Sequence, residues 1–159
     1  ERLYIVAIKK SLKIKKFSFP VAINKAVRLS DILYDESDKY DVLVKRQYSI
    51  NDCPLHRKGL IQVARIGRGR QGERIYSPQG YSTTLSSQSG GLGGKTGMYL
   101  INGIVRKLYP RECARLMGFP DDFIYAQEIS SVYKQFGNSV VVDVLQYILI
   151  EIVNQLKNL

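Results

Sequence analysis

Residues 106–122 read RKLYPRECARLMGFPDD, and this stretch decides how the remainder is read. Proline loses no hydrogen bond in the first turn of a helix, so Pro110 opens a short helix running through Cys113-Ala-Arg-Leu-Met117. Gly118 stops it, with Pro120 just beyond. Immediately upstream, Met98-Tyr-Leu-Ile101, then Asn102-Gly103, then Ile104-Val105 spell a strand, a two-residue type I′ turn and a second strand.

Further upstream, residues 89–97 read SGGLGGKTG and resemble a phosphate-cradling loop at first sight. The G-x-x-x-x-G-K-[ST] pattern needs glycine where Ser89 stands, and it needs a helix after it. A strand follows instead, so nucleotide hydrolysis at Lys95 is not expected. Ten of the thirteen glycines lie between Gly67 and Gly103. Within that region Arg74–Tyr76 and Ser82–Leu85 read as short strands separated by the turn Ser77-Pro-Gln-Gly80. The segment is an irregular, glycine-rich β layer whose main chain can approach another molecule closely.

Downstream, Gly137-Asn138-Ser139 is expected to open a long helix from Val140 to about Lys157. Val141, Leu145, Ile148, Leu149, Ile152 and Leu156 share one face of it, a wide apolar stripe that needs a partner surface. At the other end, Leu3–Ile8 is a short apolar run expected to be a buried strand. Five lysines between Lys9 and Lys16 mark an exposed turn or edge. Val27–Leu33 reads as a short helix or extended piece, followed by a solvated loop carrying Asp35, Glu36, Asp38 and Asp41. Arg46–Lys58 has no clear period and receives no element.

The composition narrows the function. At 159 residues with 45% apolar content, the chain is one domain, or a small domain with part of another. No uninterrupted apolar run reaches the ~18 residues of a membrane span, so none is expected. Two cysteines and one histidine argue against a disulfide framework and against a metal site, and fit a reducing compartment. The net charge is +10, and residues 57–74 hold six basic side chains and one acid among glycines. A polyanion, most commonly nucleic acid, is the natural partner.

In this order, the segments are similar to those of the bacterial DNA cytosine-5 methyltransferases, most nearly the HhaI type. Gln71-Gly-Glu-Arg-Ile-Tyr-Ser77, Thr84-Leu-Ser86 and the glycine cluster ending Lys95-Thr-Gly97 resemble the family's target-recognition region. Arg106 to Asp122 resembles its ninth motif, Tyr133-Lys-Gln-Phe-Gly-Asn-Ser-Val-Val141 its tenth, and Glu1-Arg-Leu-Tyr-Ile-Val6 the second half of its eighth. The Gly-rich turn that cradles S-adenosyl-L-methionine, the Pro-Cys dipeptide bearing the nucleophile and the Glu-Asn-Val segment have no counterpart. Cys53 precedes its proline, and Cys113 lies inside the ninth-motif helix.

The resemblance implies an α/β methyltransferase fold of which only a strand and the last helix are present, plus a small β-rich recognition domain. Its boundaries would be 1–27 for the strand segment, 28–109 for recognition, 110–137 for the ninth-motif helix and hinge, and 138–159 for the tenth-motif helix. The implied reaction turns a cytosine out of double-stranded DNA and methylates its C5 from S-adenosyl-L-methionine. The missing motifs would come from an N-terminal catalytic half or subunit, in a bacterial cytoplasm and a restriction-modification setting. The alternative is a stand-alone sequence-specific DNA-binding module without activity.

Site residues follow residue by residue. Arg2 matches the eighth-motif arginine that touches O2 of the target cytosine. Arg57, Lys58, Arg65, Arg68 and Arg70 suit phosphates. Arg74 suits guanine O6 and N7, and Gln71 the guanine orphaned by the flipped base. Thr84, Ser86 and Gln88 alternate, as on one side of an extended strand. Thr84 falls near the phosphates by resemblance, Gln88, Gly90 and Gly91 at the groove, and Lys95 near the strand. The HhaI-like relatives carry an aromatic where this chain has Gln88. Asn138, Ser139 and Val140 match the tenth motif, which borders the methionine end of the cofactor. Arg111, Glu112 and Arg115 read as an ion-pair lattice under the recognition layer.

Overall fold

The computed structural model describes residues 3–12, 16–23 and 27–157. They form two compact units, one of residues 26–141 and the other of residues 1–25 with 142–159.

The larger unit is built on a five-stranded sheet. Its strands are β1 (Ser49–Arg57), β2 (Leu60–Arg65), β3 (Arg74–Tyr76), β4 (Met98–Ile101) and β5 (Ile104–Arg106), lying side by side in that order. All neighbours are antiparallel except β3 and β4, which run parallel across the long glycine-rich connection. The β4–β5 hairpin turns where the sequence placed it. Asn102 at φ 51° and Gly103 at φ 79° supply the two left-handed residues a type I′ turn demands. Lys58 at φ 48° and Gly59 at φ 80° make the equivalent tip between β1 and β2.

Alternation along β4 sends its side chains into two cores. Tyr99 and Ile101 face a cluster with Leu108, Cys113, Ala114, Val132, Tyr133 and Phe136. Met98 joins Ala64, Ile75 and Val105 on the opposite side. The first cluster is closed by α1 (Pro110–Leu116) and α2 (Ile129–Asn138). Pro110 occupies the first turn of α1, and Gly118 at φ 79° ends the chain's helical path. Glu128 caps α2, its carboxylate accepting from the amides of Ser130 at 2.8 Å and Ser131 at 2.6 Å.

Several expectations are corrected here. Leu3–Ile8 belongs to no strand, and Leu3 and Ile5 are more than four-fifths exposed at 85% and 82%. A strand needs a neighbouring strand for its amides and carbonyls, and the unit that holds this segment contains none among the described residues. Ser82–Leu85 is likewise not a strand, because it is held by side-chain hydrogen bonds rather than by a ladder. Ser49–Arg57, left unassigned, is β1. Gly137 and Asn138 end α2 instead of opening the last helix, which is α3 (Val142–Lys157).

In the smaller unit, α3 has Ile148 as its one buried residue, while Leu145, Leu149, Ile150 and Val153 are exposed. Ser18 and Gln155 clasp each other, the Ser18 amide donating to Oε1 at 3.3 Å and Nε2 donating to the Ser18 carbonyl at 2.8 Å. Residues 129–157 are apolar enough in composition for a membrane-crossing helix. Extended backbone at Ser139 nevertheless splits them into α2 and the 16-residue α3.

Candidate nucleic-acid interface

The glycine-rich connection between β3 and β4 folds back onto the start of β3. Gly72, at φ 85°, accepts the Gly93 amide at 2.9 Å, and the Ser86 amide reaches the Lys95 carbonyl at 2.9 Å. A side chain at Gly94 would collide with the Gly90 carbonyl, and one at Gly97 with the Thr83 hydroxyl. Glycine is required at Gly94 because backbone occupies the space, and at Gly97 because its φ of 80° is left-handed and the Thr83 and Tyr99 hydroxyls fill the space. The loop is therefore a compact arch standing on Gly72, with Gln88, Gly90 and Gly91 exposed at its crest.

Tyr99, wholly buried, anchors the next wall. Its hydroxyl accepts from the Thr83 amide at 2.9 Å and reaches the Thr96 carbonyl at 3.1 Å, with Ser82 Oγ and Thr83 Oγ1 each at 3.0 Å. Burial pushes the Tyr99 phenol above its usual 10.0, which keeps the proton that donates to Thr96. These bonds hold Ser82–Thr84 against the sheet without a ladder.

Arch and wall enclose a cleft of about 400 Å³ lined by Gln71, Arg74, Thr84, Gly93 and Gly94. Arg74 enters from β3, where its Nε donates to the Gly69 carbonyl at 3.0 Å. That bond fixes the stem and leaves the terminal nitrogens without a protein acceptor among the described residues. A guanidinium held by one edge and open at the other is prepared for a bidentate acceptor pair. Gln71 is exposed at the cleft rim, its backbone tied down through Gly72.

Four residues the sequence assigned to DNA, Lys58, Gln71, Arg74 and Thr84, thus line one cleft, and Tyr81 joins them. Lys58 arrives on the β1–β2 tip, a placement the unassigned β1 concealed. Tyr81 follows because its amide donates to the Gly59 carbonyl at 2.8 Å. Arg68 lies outside this cleft, in the turn before β3, and Arg70 is exposed beside it. Ser86 is engaged internally, its Oγ accepting from the Ser89 amide at 3.2 Å and the Ser89 hydroxyl at 2.7 Å. Lys95 is half-buried at the foot of the arch, and Thr96 is buried with its hydroxyl on the Gly97 carbonyl. A phosphate loop is excluded here, since β4 follows at once.

Of the three charged residues expected to form an ion-pair lattice, Glu112 and Arg115 pair with partners outside α1, whereas the Arg111 guanidinium donates to the Phe123 carbonyl at 3.0 Å. Glu112 accepts two bonds of 2.7 Å from Arg106 and further bonds from the amides of Tyr34 and Tyr109. Arg115 grips Asp121 at 2.6 and 2.7 Å. Buried Glu36 accepts from the Arg111 amide at 2.8 Å and the Tyr125 hydroxyl at 2.9 Å.

Neither cysteine is a nucleophile in waiting. Cys113 is fully buried, and burial beside Glu112 and Glu36 pushes its thiol well above the usual 9.0. Cys53 is exposed on β1, away from the cleft lining. Arg2 lies outside the described residues. Asn138 is exposed at the last turn of α2, and the Ser139 amide and hydroxyl both turn back to the Phe136 carbonyl, at 3.2 and 3.0 Å. Val140 follows, half-buried, before α3 begins. Among the described residues, no group of three or more His, Cys, Asp or Glu side chains could hold a metal ion.

The fold is that of part of a methyltransferase. It is similar to the crystal structure of the S. pombe Dnmt2 methyltransferase, with a TM-score of 0.54 and 21% identity over 86% of this chain and 44% of that one. The chain belongs to the C-5 cytosine-specific DNA methylase family, whose model matches residues 1–154. It is 42% identical over 155 residues to the type II methyltransferase M.HhaI of Haemophilus parahaemolyticus, covering 93% of this chain and 46% of that protein. It is 31% identical to M.HpaII of Haemophilus parainfluenzae, covering 100% of this chain and 47% of the relative. The chain therefore spans about half the length of the curated relatives it matches.

Proposed function

We propose that this chain is the target-recognition and C-terminal portion of a DNA cytosine-5 methyltransferase. The observation that supports this best is the convergence of Gln71, Arg74 and Thr84 on one cleft walled by glycine backbone. In this reading the chain docks on double-stranded DNA in the bacterial cytoplasm. Arg74 grips a guanine edge from the major groove, and Gln71 pairs with the guanine left by the flipped cytosine. Gln88, Gly90 and Gly91 bring the arch crest to the groove, while Thr84, Arg68, Arg70 and Lys95 contact phosphates. Ser86 serves by closing the arch, and Arg2 contacts the target cytosine.

S-adenosyl-L-methionine supplies the methyl group, and a thiolate from outside this chain attacks C6 of the cytosine. The residues that would border the cofactor are Asn138, Ser139 and Val140. Asn138 is the last residue of α2, so a helix C-terminus stands there. Helix carbonyls favour a cation, so the group they fit is the ammonium or sulfonium of the methionine end rather than its carboxylate.

The test is complementation. The chain alone is expected to bind duplex DNA and to transfer no methyl groups, and addition of the N-terminal half of a relative is expected to restore transfer. Robust methyl transfer by the chain alone would sink the reading. One observation favours the alternative of a stand-alone binding module, namely that residues 26–141 carry their own cores. The exposed apolar side chains of α3 count against it, because an independent module should cover them.

A further inference from the structure

A second concavity of about 350 Å³ lies on the β1–β3 side of the sheet, and Arg57, Arg65, Arg68 and Arg74 all line it. No carboxylate does. None of the four guanidiniums makes an ion pair among the described residues. Arg65 stands directly opposite Arg74 in the β2–β3 ladder, an arrangement in which like charges cost stability. Gly69 organises the pair. At φ 69° its Cα lies against the Arg65 stem, where an added Cβ would come within 3.2 Å of Cδ, and its carbonyl takes Arg74 Nε. The groove adjoins the Gln71 cleft along Leu60, Arg74 and Tyr76, which line both, while Arg57, Arg65 and Arg68 line only the groove.

We propose that this groove holds a backbone phosphodiester of duplex DNA flanking the base pairs read in the Gln71 cleft. The inference rests on the DNA-binding reading above and adds a second contact that widens the footprint beyond the recognition sequence. A phosphodiester brings one negative charge and two free oxygens to a groove lined by planar donors, and it relieves the repulsion between Arg65 and Arg74.

The experiment compares the 159-residue chain with its Arg57→Ala/Arg65→Ala and Arg57→Lys/Arg65→Lys variants. Affinity is measured across salt concentrations for a one-turn duplex and for a three-turn duplex with the same centre. On the long duplex the alanine variant should lower the slope of log affinity against log salt by about 1, losing roughly eightfold in affinity near 0.1 M salt. On the short duplex it should match the parent, and the lysine variant should retain the slope on both. An unchanged slope for the alanine variant overturns the proposal. So does an equal loss with lysine, which would mark a structural role. Inorganic phosphate is titrated while the arginine Nε–H signals are followed by NMR. A response at Arg57 and Arg65 without any effect of their replacement on the long duplex assigns the groove to free phosphate and also overturns the proposal. Failure of the parent chain to bind either duplex instead removes the DNA-binding reading itself.

Discussion

Arg106 and Glu112 meet through two parallel hydrogen bonds of 2.7 Å, with both side chains almost or wholly excluded from solvent. The carboxylate also receives the amides of Tyr34 and Tyr109, so one side chain joins β5, the start of α1 and the segment preceding the acidic loop. Removing one member of such a pair leaves the other charged and unpaired in the interior. Glu112→Ala should therefore destabilise by about 3–5 kcal/mol, measured by urea unfolding. A loss below about 1 kcal/mol would show the pair to be dispensable.

Tyr99 tests whether the wall of the cleft is held by one hydroxyl. Tyr99→Phe keeps the ring in the core and removes the acceptor for the Thr83 amide. The expected cost is about 1–3 kcal/mol. Faster hydrogen exchange should be confined to Thr83 and its neighbours, with β4 and β5 unchanged.

Glu128 gives the fold an acid-sensitive point. Hydrogen bonds from Ser131 and Ser130 pull its carboxyl from the ordinary 4.5 down to about 2. A lowered folded-state value stabilises the fold above the unfolded value and loses that contribution as the pH falls from about 4.5 towards 2. Glu128→Ala should lower the melting temperature at pH 7, and the gap from the parent should close in the acid range. A gap of equal size at both ends would assign the effect to helix propensity instead.

The two thiols should separate cleanly. A chromogenic disulfide reagent is expected to titrate Cys53 at once in the native protein and Cys113 only after unfolding. Rapid reaction of both would contradict the burial of Cys113.

Gln71 and Arg74 should behave as readers and Arg68 as an anchor. Arg74→Ala is expected to cost about 1–3 kcal/mol of discrimination at one base pair, while Arg68→Ala weakens binding evenly across sequences. An intact sequence preference after Arg74→Ala would overturn its assignment.

What could be read in the amino-acid sequence depended on whether a segment has its own strong local signal. Asn102-Gly103 and Pro110 with Gly118 do, so the β4–β5 hairpin and α1 were legible. β1 was not. It carries Asp52 and Pro54, is irregular between Ile50 and Leu55, and buries no residue, so no alternation is imprinted on it. The boundary between α2 and α3 misled for the opposite reason, because Gly137-Asn138 looks like an opening signal. Gly137 is admitted at the end of α2 where a Cβ would strike the backbone of Ser86 and Ser87. In the interface, Gln71, Arg74 and Thr84 were legible by resemblance. Lys58 in the cleft, and Arg57 and Arg65 lining one groove from opposite ends of the β1–β2 hairpin, depend on how the strands pair, which local pattern does not encode.

The arch between β3 and β4 separates what must stay from what is free to change. At its feet, Gly94 and Gly97 are locked by backbone and hydroxyl neighbours. At its crest, a side chain added at Gly90 or Gly91 would meet nothing within 4 Å, with only the positive φ of Gly91 opposing it. The crest is thus an interchangeable cassette on a fixed mount. If the crest meets the groove as proposed, new base preferences would arise from few replacements around residues 88–91 without any repacking of the core, giving the scaffold a short mutational path to new DNA targets.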